Sequence, residues 1–487
     1  MKSVIVVGAG ISGLVCGIYA QRSGFKTLIL EKAGNPGGVS TSWKRKAYTF
    51  EGGIHWLIGA KAGVPLNDIW TETGALGTNN PVFFKDPIYT LIDGDARMEL
   101  RRDLKSLLKD APEDRIPLAL LRFHVWCFTF FHSPVQDLGG LKVRHPRGFS
   151  LMEFVKMGPA VLLTPWLMSL SAGKYISRFR NPRLRRLLEA VVDPEINALS
   201  LIYTLSSFSS GDSGYPEGGS LRMAQNMAGN FLSLGGEIRY RTPILEVVTE
   251  NGKVRGVRTA EGLIESDAVV VSVDARTAID KLFATPLQTP WAKRMRKKLR
   301  TAQCMFIAIG IKADLSGWPR CMQIIPRKPL EAGGLEFKAL TVNNYSRDAE
   351  YAPAGCTAVT VILPGHSYAY WKAARENGSY AGLKQRAVDD FVQIIADIIP
   401  ETAGKVEVSD MATPLTYERY CDTFEGSYMS EWLPRHFNCN APIRFGGGVY
   451  FTGQRTAFSG GLPVAAETGR RTAQTLCKDA GMEFVSH

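Results

Sequence analysis

Short apolar runs and glycines divide the first thirty residues into a strand, a helix and a second strand. Residues 4–7 form a continuous apolar run, which is typical of a strand buried on both faces of a sheet. Residues 12–23 fit a helix, and Gly24 stands where such a helix would end. Residues 25–30 fit the next strand. This order predicts a strand–helix–strand unit and, with it, a parallel sheet.

Similar patterns return much later in the chain. Residues 237–240 alternate between polar and apolar side chains, and residues 268–271 form a second buried run. Residues 449–452 form a third run that stops at Gly453, and residues 464–478 fit a closing helix. We therefore predict an α/β fold in which one sheet is assembled from separated segments of the chain.

The turn after the first strand carries the motif Gly8-Ala9-Gly10-Ile11-Ser12-Gly13. In a dinucleotide site, Gly8 permits the tight turn, Gly10 brings backbone N–H groups to the pyrophosphate, and Gly13 lets the helix pack on the sheet. The helix N-terminus, with Ser12 in its first turn, faces the phosphate charge. Glu31 ends the second strand, where it can accept hydrogen bonds from ribose hydroxyls. The strand before the motif and the helix after it predict a bound dinucleotide.

The separated segments predict two domains. Residues 1–95, 205–275 and 440–487 are assigned to the dinucleotide-binding domain, and residues 96–204 and 276–439 to an inserted α+β domain that binds the substrate. The chain of 487 residues is long enough for both. Its 45% hydrophobic and 21% charged residues exclude a mainly disordered protein.

The inserted region contains two unusual stretches. Residues 123–131 are dense in aromatic side chains, and residues 157–173 carry no formal charge. The second stretch is at the lower length limit for crossing a bilayer, and Pro159 and Pro165 interrupt it. A buried or pocket-lining helix, a spanning helix and a surface that dips into lipid are all compatible with it. The basic residues on either side favour lipid over an ordinary core.

The positive charge is concentrated in the same region. The chain has a net charge of +12, and residues 97–186 contain 17 Lys and Arg against seven Asp and Glu. Such a field suits either nucleic acid or an anionic membrane surface. No nucleic-acid-binding motif accompanies it, and its apolar runs suit lipid. We therefore expect an anionic membrane surface as a peripheral partner, and no nucleic acid.

The cysteines and the start of the chain indicate a reducing compartment. The eight cysteines contain no C-x-x-C pair, so their spacing predicts neither a zinc site nor an iron–sulfur cluster. An apolar strand begins directly after Met1-Lys2-Ser3, which leaves no room for a cleavable signal. We expect a cytoplasmic, peripherally membrane-associated protein without a metal.

Glu31 is followed six and seven residues later by Gly37 and Gly38. This spacing resembles the extended FAD signature of the glutathione reductase-type flavoproteins. The resemblance implies that FAD is the cofactor and that a Gly-Gly pair brings backbone close to its flavin-side phosphate. No second G-x-G-x-x-G follows a strand, which is the usual mark of a dedicated NAD(P)H domain. The electron donor or acceptor is then the substrate, a quinone, oxygen or a partner protein. The residues implied in this segment are Lys32, Gly37, Gly38, Val39 and Ser40.

Two further segments resemble phytoene desaturases. Residues 214–219 and 235–238 are similar to the central segment of that family, in which the following strand, at residues 244–248, presents the backbone of Val247 and Val248 to the adenine. The end of the chain is similar to the C-terminal flavin signature, where a helix N-terminus points at the isoalloxazine. That second resemblance implies cofactor contacts from Gly453, Gln454, Gly461, Leu462 and Pro463.

Together these segments resemble the phytoene desaturase, carotenoid isomerase and retinol saturase superfamily of FAD-dependent oxidoreductases. The implied fold is a glutathione reductase-type Rossmann domain of discontinuous segments, with an inserted domain that binds substrate and membrane. Several segments look more like retinol saturases than bacterial phytoene desaturases, namely residues 50–57, 412–416, 419–420, 426–428 and 452–454. Gln454 departs from many relatives, which have an acidic residue there, although a glutamine can still hydrogen-bond to ribityl hydroxyls.

The resemblance implies desaturation, saturation or isomerisation at C–C bonds of a polyisoprenoid, carotenoid or retinoid-like lipid. Such a reaction needs an apolar tunnel and at most one proton donor or acceptor. His55, Arg419 and Tyr420 are the candidate catalytic residues beside the flavin motifs. Two alternatives stay open: an amine-oxidase-like flavoenzyme, and a non-catalytic prenyl-lipid-binding protein similar to the Rab GDP-dissociation inhibitors.

Overall fold

A computed structural model describes residues 2–77, 80–130, 137–144, 151–435, 440–457 and 461–487. Residue 131 of the aromatic run lies outside these ranges, and so does Gly460, which precedes the predicted closing helix. The predicted α/β architecture is confirmed, because parallel strands and the helices between them build the first sheet.

Within the described residues, the parallel sheet contains six strands. The strand predicted at residues 4–7 lies near its centre, and both neighbouring strands run parallel to it. The edge strand Arg444–Gly446 is the antiparallel exception. Five predicted strands and the closing helix are therefore found where the hydrophobic pattern placed them. The order across the sheet is Glu237–Arg239, Lys26–Leu30, Ser3–Val7, Ala268–Val271, Val449–Phe451 and Arg444–Gly446.

A second, mainly antiparallel sheet contains seven strands over the described part of the chain. Its hairpin at residues 89–100 contains the domain boundary predicted at residue 95, and both arms of the hairpin pair within this sheet. The division into two domains otherwise stays a prediction. The order across the sheet is Val406–Ala412, Cys304–Ile311, Thr357–Pro364, Leu340–Asn344, Cys321–Ile324, Tyr89–Asp93 and Ala96–Leu100.

Shorter strands and the helices complete the fold. The remaining strands are Ser42–Arg45, Tyr48–Glu51, Leu57–Ile58, Val82–Phe83, Val143–Arg144, Ser213–Pro216, Glu246–Glu250, Lys253–Thr259, Gly262–Glu265, Thr301–Ala302, Leu330–Ala332, Leu335–Phe337, Met429–Ser430 and Phe484–Val485. The α-helices are Ile11–Arg22, Pro65–Glu72, Leu107–Asp110, Arg115–Phe128, Leu151–Ser169, Ala172–Ile176, Pro182–Glu189, Ala198–Ser209, Gly219–Ser233, Ala275–Lys281, Pro290–Lys298, Tyr368–Glu376, Tyr380–Ile398, Pro414–Cys421 and Leu462–Ala480.

The uncharged stretch belongs largely to the helix Leu151–Ser169, which contains both prolines. One side of this helix is buried, with Ala160 and Leu167 inaccessible, whereas Leu162 is 82% exposed. The helix is therefore neither wholly core nor wholly surface. Among the described residues, no helix combines the length and the apolar character needed to cross a membrane.

A buried carboxylate joins segments that are far apart in the sequence. Glu51 ends the strand Tyr48–Glu51 and is fully inaccessible to solvent. Its oxygens accept the backbone N–H groups of Gly53 at 2.7 Å and Ser220 at 2.9 Å, and the hydroxyl of Tyr351 at 3.2 Å. Ser220 lies in the first turn of the helix Gly219–Ser233, where the helix dipole favours a negative charge. The carboxylate therefore fixes the segment that leads to His55.

We expect Glu51→Gln to lower the free energy of unfolding by about 3 kcal/mol. The amide replaces one acceptor oxygen with an NH₂ group that faces other donors, so buried hydrogen bonds to a charged group are lost. Denaturant unfolding measures the change. Glu237→Gln is the control, because its ion pair with Arg239 is solvent-exposed and is expected to contribute less than about 1 kcal/mol. Equal midpoints for Glu51→Gln and the wild type would contradict this role for Glu51.

Candidate functional site

The first glycine loop has the geometry expected of a phosphate cradle. Gly8 has a φ of +105°, and its N–H donates to the Leu30 carbonyl at 2.8 Å. A Cβ on Gly13 would lie 2.1 Å from the Gly8 carbonyl oxygen, so the helix packs against the loop only with glycine there. A Cβ on Gly10 would meet no protein atom within 4 Å. The space above Gly10, at the helix N-terminus, is therefore open for a ligand.

The Gly-Gly pair lies directly against this loop. The Gly37 N–H donates to the Ala9 carbonyl at 2.9 Å, and a Cβ on Gly38 would lie 3.4 Å from the Gly10 Cα. Both glycines have positive φ, +116° and +62°. The backbone of the two segments thus forms one continuous wall, which fits the phosphates of a dinucleotide.

Glu31 is buried beneath the same loop and holds it in place. Its two carboxylate oxygens accept the N–H groups of Ala9 and Ala33, each at 2.7 Å. A carboxylate has further acceptor capacity, so contact with a ribose stays a prediction. The neighbouring Lys32 ammonium forms an ion pair with Asp422 at 2.7 Å and donates to the Arg419 carbonyl at 3.1 Å. Lys32 therefore connects the cradle to the helix Pro414–Cys421.

A cavity of about 2200 Å³ extends from this cradle between the two sheets. Small-molecule pockets are usually about 300–1,000 Å³, so the cavity has room for a dinucleotide and a second large ligand. Ser12 and Gly13 both lie in the first turn of the helix Ile11–Arg22, but only Ser12 contributes to the wall. The predicted cofactor residues that line the cavity are Gly8, Gly10, Ser12, Glu31, Lys32, Gly37, Gly38, Val39, Ser40, Gly453, Gln454, Gly461, Leu462 and Pro463.

Besides Gly13, two predicted cofactor residues are not among the lining residues. Val247 and Val248 are buried in the strand Glu246–Glu250, and the Val247 N–H donates to the Leu282 carbonyl at 2.7 Å. The segment at residues 242–245 lines the cavity instead, and the Thr242 N–H donates to the Glu31 carbonyl at 2.8 Å. This segment follows a strand of the parallel sheet at its carboxyl edge. That position is the signal that could have located it from sequence.

The C-terminal segment closes the cavity from the other side. The Gly453 N–H donates to Thr468 Oγ1 at 3.1 Å, and a Cβ on Gly453 would lie 3.2 Å from Ser12 Oγ. Gln454 Nε2 donates to the Tyr428 carbonyl at 2.7 Å. Glutamine, where many relatives have an acidic residue, therefore has a structural partner. Gly461 precedes the helix Leu462–Ala480, whose N-terminus faces the cavity.

His55 lies in the cavity wall as a neutral imidazole. Its ring lies parallel to the Phe306 ring at a centroid distance of 6.0 Å, and its Nδ1 is 3.4 Å from Asn343 Nδ2. Burial, followed by the nearby Lys85 ammonium, lowers the pKa of His55 from 6.5 to about 4. The ring therefore carries no charge at neutral pH. Its role in proton transfer stays a prediction, and the residue would enter the reaction uncharged.

Arg419 and Tyr420 lie at the rim of the cavity rather than deep inside it. The Tyr420 ring is 55% exposed, and the Arg419 guanidinium lies 5.1 Å from its centroid. Their catalytic role stays a prediction. Among the described residues, no group of three or more His, Cys, Asp and Glu side chains is placed to hold a metal ion.

The part of the cavity away from the glycine loop has mostly aromatic and aliphatic walls. Tyr417 and Tyr428 lie there with Cys304, and burial raises the pKa of both phenols above their ordinary range. Both tyrosines are therefore un-ionised, and neither introduces a charge into the apolar space. Further apolar residues of this wall are Trp56, Tyr89, Val191, Val192, Leu199, Phe306, Ile362, Leu415 and Leu433.

Fold and site together define a flavin-binding oxidoreductase of the Rossmann type. The chain belongs to the flavin containing amine oxidoreductase family, whose sequence profile matches residues 11–477. The family confirms FAD as the cofactor. The glycine cradle, with open space above Gly10, fits the cofactor's pyrophosphate.

Curated relatives and solved structures agree with this family. A chloroplastic prolycopene isomerase from Daucus carota is 23% identical, with 99% of this chain and 81% of that protein covered. A lycopene-forming phytoene desaturase from Pseudescherichia vulneris is 24% identical, with 98% and 100% covered. These relatives confirm the resemblance to the carotenoid desaturases and isomerases.

Among solved structures, an oxidoreductase from Methanosarcina mazei has a TM-score of 0.63 and 16% identity, with 96% of this chain and 99% of that chain covered. Cyclohexylamine oxidase from Brevibacterium oxydans has a TM-score of 0.62 and 14% identity, with 99% of each chain covered. At these identities the two structures establish the fold alone.

Gly10→Ala and Gly13→Ala are expected to fail in different ways. Gly10 has a φ of −68°, and a methyl group there meets only open space, so the variant folds normally but occupies the phosphate position. The Gly13 methyl group collides with the backbone of Gly8 and disturbs the fold itself. We expect Gly10→Ala to keep the wild-type unfolding midpoint and lose bound FAD, measured by flavin absorbance per protein. A Gly10→Ala protein with full FAD content would contradict the assignment of the cradle.

Proposed function

We propose that the protein is an FAD-dependent oxidoreductase that acts on C–C bonds of an apolar polyisoprenoid, with carotenoids as the substrate class. The cavity carries this proposal, because its volume of about 2200 Å³ exceeds what the cofactor needs and aromatic and aliphatic side chains form much of the wall away from the glycine loop. The relatives named as prolycopene isomerase and phytoene desaturase support the same substrate class.

The side chains of this chain position the substrate and exclude water. FAD, when bound, supplies hydride transfer to or from carbon, so the protein needs no nucleophile of its own. Phe306 and His55 lie parallel in the wall and offer flat surfaces to a conjugated chain. Tyr417 and Tyr428 remain un-ionised and add no charge of their own to this wall. The proposal covers desaturation, saturation and isomerisation. The similarity of residues 50–57 to retinol saturases supports saturation among them.

Incubation of the FAD-loaded protein with phytoene or poly-cis-lycopene, followed by separation of the extracted products, tests this function. We expect a change in the number or geometry of double bonds, because the apolar cavity accommodates the polyene beside the cofactor. Phe306→Ala should lower turnover by about tenfold or more by removing a flat wall, since one misplaced contact near the reacting atoms has that effect. Unchanged carotenoids together with peroxide release from amines would instead support the amine oxidase alternative.

We also propose that the protein collects its substrate from an anionic membrane surface, on the cytoplasmic side. Two adjacent helices, Arg115–Phe128 and Leu151–Ser169, expose apolar side chains in stripes. The stripe residues are Ile116, Leu120, Phe123, Trp126, Val155, Leu162 and Trp166, with exposures from 39% to 83%. Exposed patches of this kind mark lipid or protein contacts.

Basic side chains accompany the exposed apolar stripes. The Lys156 ammonium lies 5.9 Å from the Phe130 ring centroid, and the Arg178 guanidinium lies 5.1 Å from that of Trp166. Such cations attract the anionic headgroups of the cytoplasmic leaflet. The end of the second helix is also linked to the cavity wall, because the Arg435 N–H donates to the Met168 carbonyl at 3.3 Å. Trp432, three residues earlier, lines the cavity.

Cosedimentation with vesicles tests the membrane surface. We expect Phe123→Ser with Leu162→Ser to weaken binding to phosphatidylcholine–phosphatidylserine vesicles by about tenfold or more, since each buried apolar side chain contributes about 1.5–3 kcal/mol. Leu232→Ser with Leu263→Ser is the matched control, because these leucines are 49% and 40% exposed on other elements. Wild-type binding should weaken with salt and without phosphatidylserine. Equal weakening by both double variants would argue against this surface.

A further inference from the structure

One rim of the cavity is cationic and aromatic, in contrast to its apolar interior. Arg375 lies in the last turn of the helix Tyr368–Glu376. Tyr380 and Lys384 lie in the first two turns of the helix Tyr380–Ile398. Across from them, Arg419 and Tyr420 lie on the cavity-facing side of the helix Pro414–Cys421. All five residues line the cavity, and we refer to them as the cationic rim.

Direct contacts hold the cationic rim together. The Tyr380 ring contacts two cations, with the Arg375 guanidinium 5.4 Å and the Lys384 ammonium 5.5 Å from its centroid. The Tyr380 hydroxyl is 2.9 Å from Thr413 Oγ1, which begins the helix that carries Arg419. The rim is therefore one surface built from three helices.

The cations of this rim are not neutralised by nearby acids. Within the described residues, Arg375, Lys384 and Arg419 form no ion pair with a carboxylate. Glu418 accepts a hydrogen bond from the Tyr368 hydroxyl at 2.8 Å, and Asp422 is paired with Lys32. Glu336, another acid of the cavity wall, lies 3.6 Å from Lys338. Three positive groups are thus available to an anionic ligand.

This combination matches a planar, phosphate-bearing ligand. Arginine binds phosphate oxygens through two parallel hydrogen bonds, and lysine adds a compact positive charge. Tyrosine rings offer a face on which a nucleobase or another flat ring stacks. The phosphates of FAD itself are assigned to the glycine loop at Gly10, to which none of the five rim residues belongs. We therefore expect the ligand of the rim to be a second molecule and not FAD.

We propose that the cationic rim binds a nicotinamide dinucleotide in its reduced form, as the two-electron donor for saturation of a C=C bond, which consumes one hydride and one proton and leaves the oxidised dinucleotide. The choice of nicotinamide rests on the proposed function, because a redox flavoprotein exchanges electrons with an external partner and this class is both planar and phosphate-bearing. The sequence has no second dinucleotide glycine motif. The ligand would accordingly be held by side chains at the cavity mouth and not by a domain of its own.

Calorimetric titration of the FAD-loaded protein with NADPH tests the proposal. We expect saturable binding to the wild type, and at least about tenfold weaker binding after Arg375→Ala with Lys384→Ala, because two charge-assisted contacts are lost. Lys372→Ala with Arg386→Ala is the matched control. These two cations are exposed on the same helices and do not line the cavity, so binding should change by less than about twofold. Tyr380→Leu should also weaken binding, by loss of the stacking face.

Three results would overturn the assignment. They are absence of NADPH binding to the wild type, equal weakening in both double variants, and loss of FAD from the Arg375→Ala, Lys384→Ala protein. The third result would assign the rim to FAD. Flavin absorbance is recorded for every sample, so that failure of the proposed function can be distinguished from failure of the NADPH site. A protein without FAD, or one inactive on carotenoids, contradicts the proposed function whether or not NADPH binds.

Discussion

The buried carboxylate of Glu51 is the constraint on which the geometry of the cavity depends. It receives hydrogen bonds from the next turn of its own segment, from Ser220 in a helix that packs on the parallel sheet, and from Tyr351 in a loop of the seven-stranded sheet. These partners are 169 and 300 residues away in the sequence. A fully buried carboxylate that is surrounded by hydrogen-bond donors has few alternative arrangements. The position of the wall that carries His55 follows from it.

The two ends of the cavity differ in the groups that line them. One end is backbone, with glycines that bring N–H groups close to phosphate and leave open space above Gly10. The other end is side chain, with flat apolar surfaces and un-ionised phenols. Hydride transfer to or from a hydrocarbon needs both ends, because the cofactor supplies the reactivity. The protein holds the cofactor at one end, and at the other it positions the substrate and excludes water. The lowered pKa of His55 is consistent with this arrangement, since this histidine, which lies beside Phe306, stays uncharged.

Sequence reasoning located the cofactor end because local rules govern it. A strand, three glycines and a helix specify a turn whatever surrounds them, and the structure places Gly8, Gly10 and Gly13 as expected. Val247 and Val248 were predicted from a resemblance of strands, whereas the cavity wall is formed by the segment just before them. The seven-stranded sheet and the cationic rim were not predicted. Their residues come from distant segments, and only tertiary pairing brings Tyr89, Cys321 and Thr357 into one sheet or Arg375 and Arg419 to one rim.

The account's central claim is a cavity shared by FAD and a polyene, and one spectrum tests it most directly. The visible absorbance of the purified protein is recorded before and after extraction with organic solvent, and the extract is recorded as well. We predict flavin bands that remain with the aqueous cofactor, and structured polyene bands that move into the solvent when the protein is purified from a carotenoid-containing host. A colourless protein that cannot be reconstituted with FAD would contradict the claim.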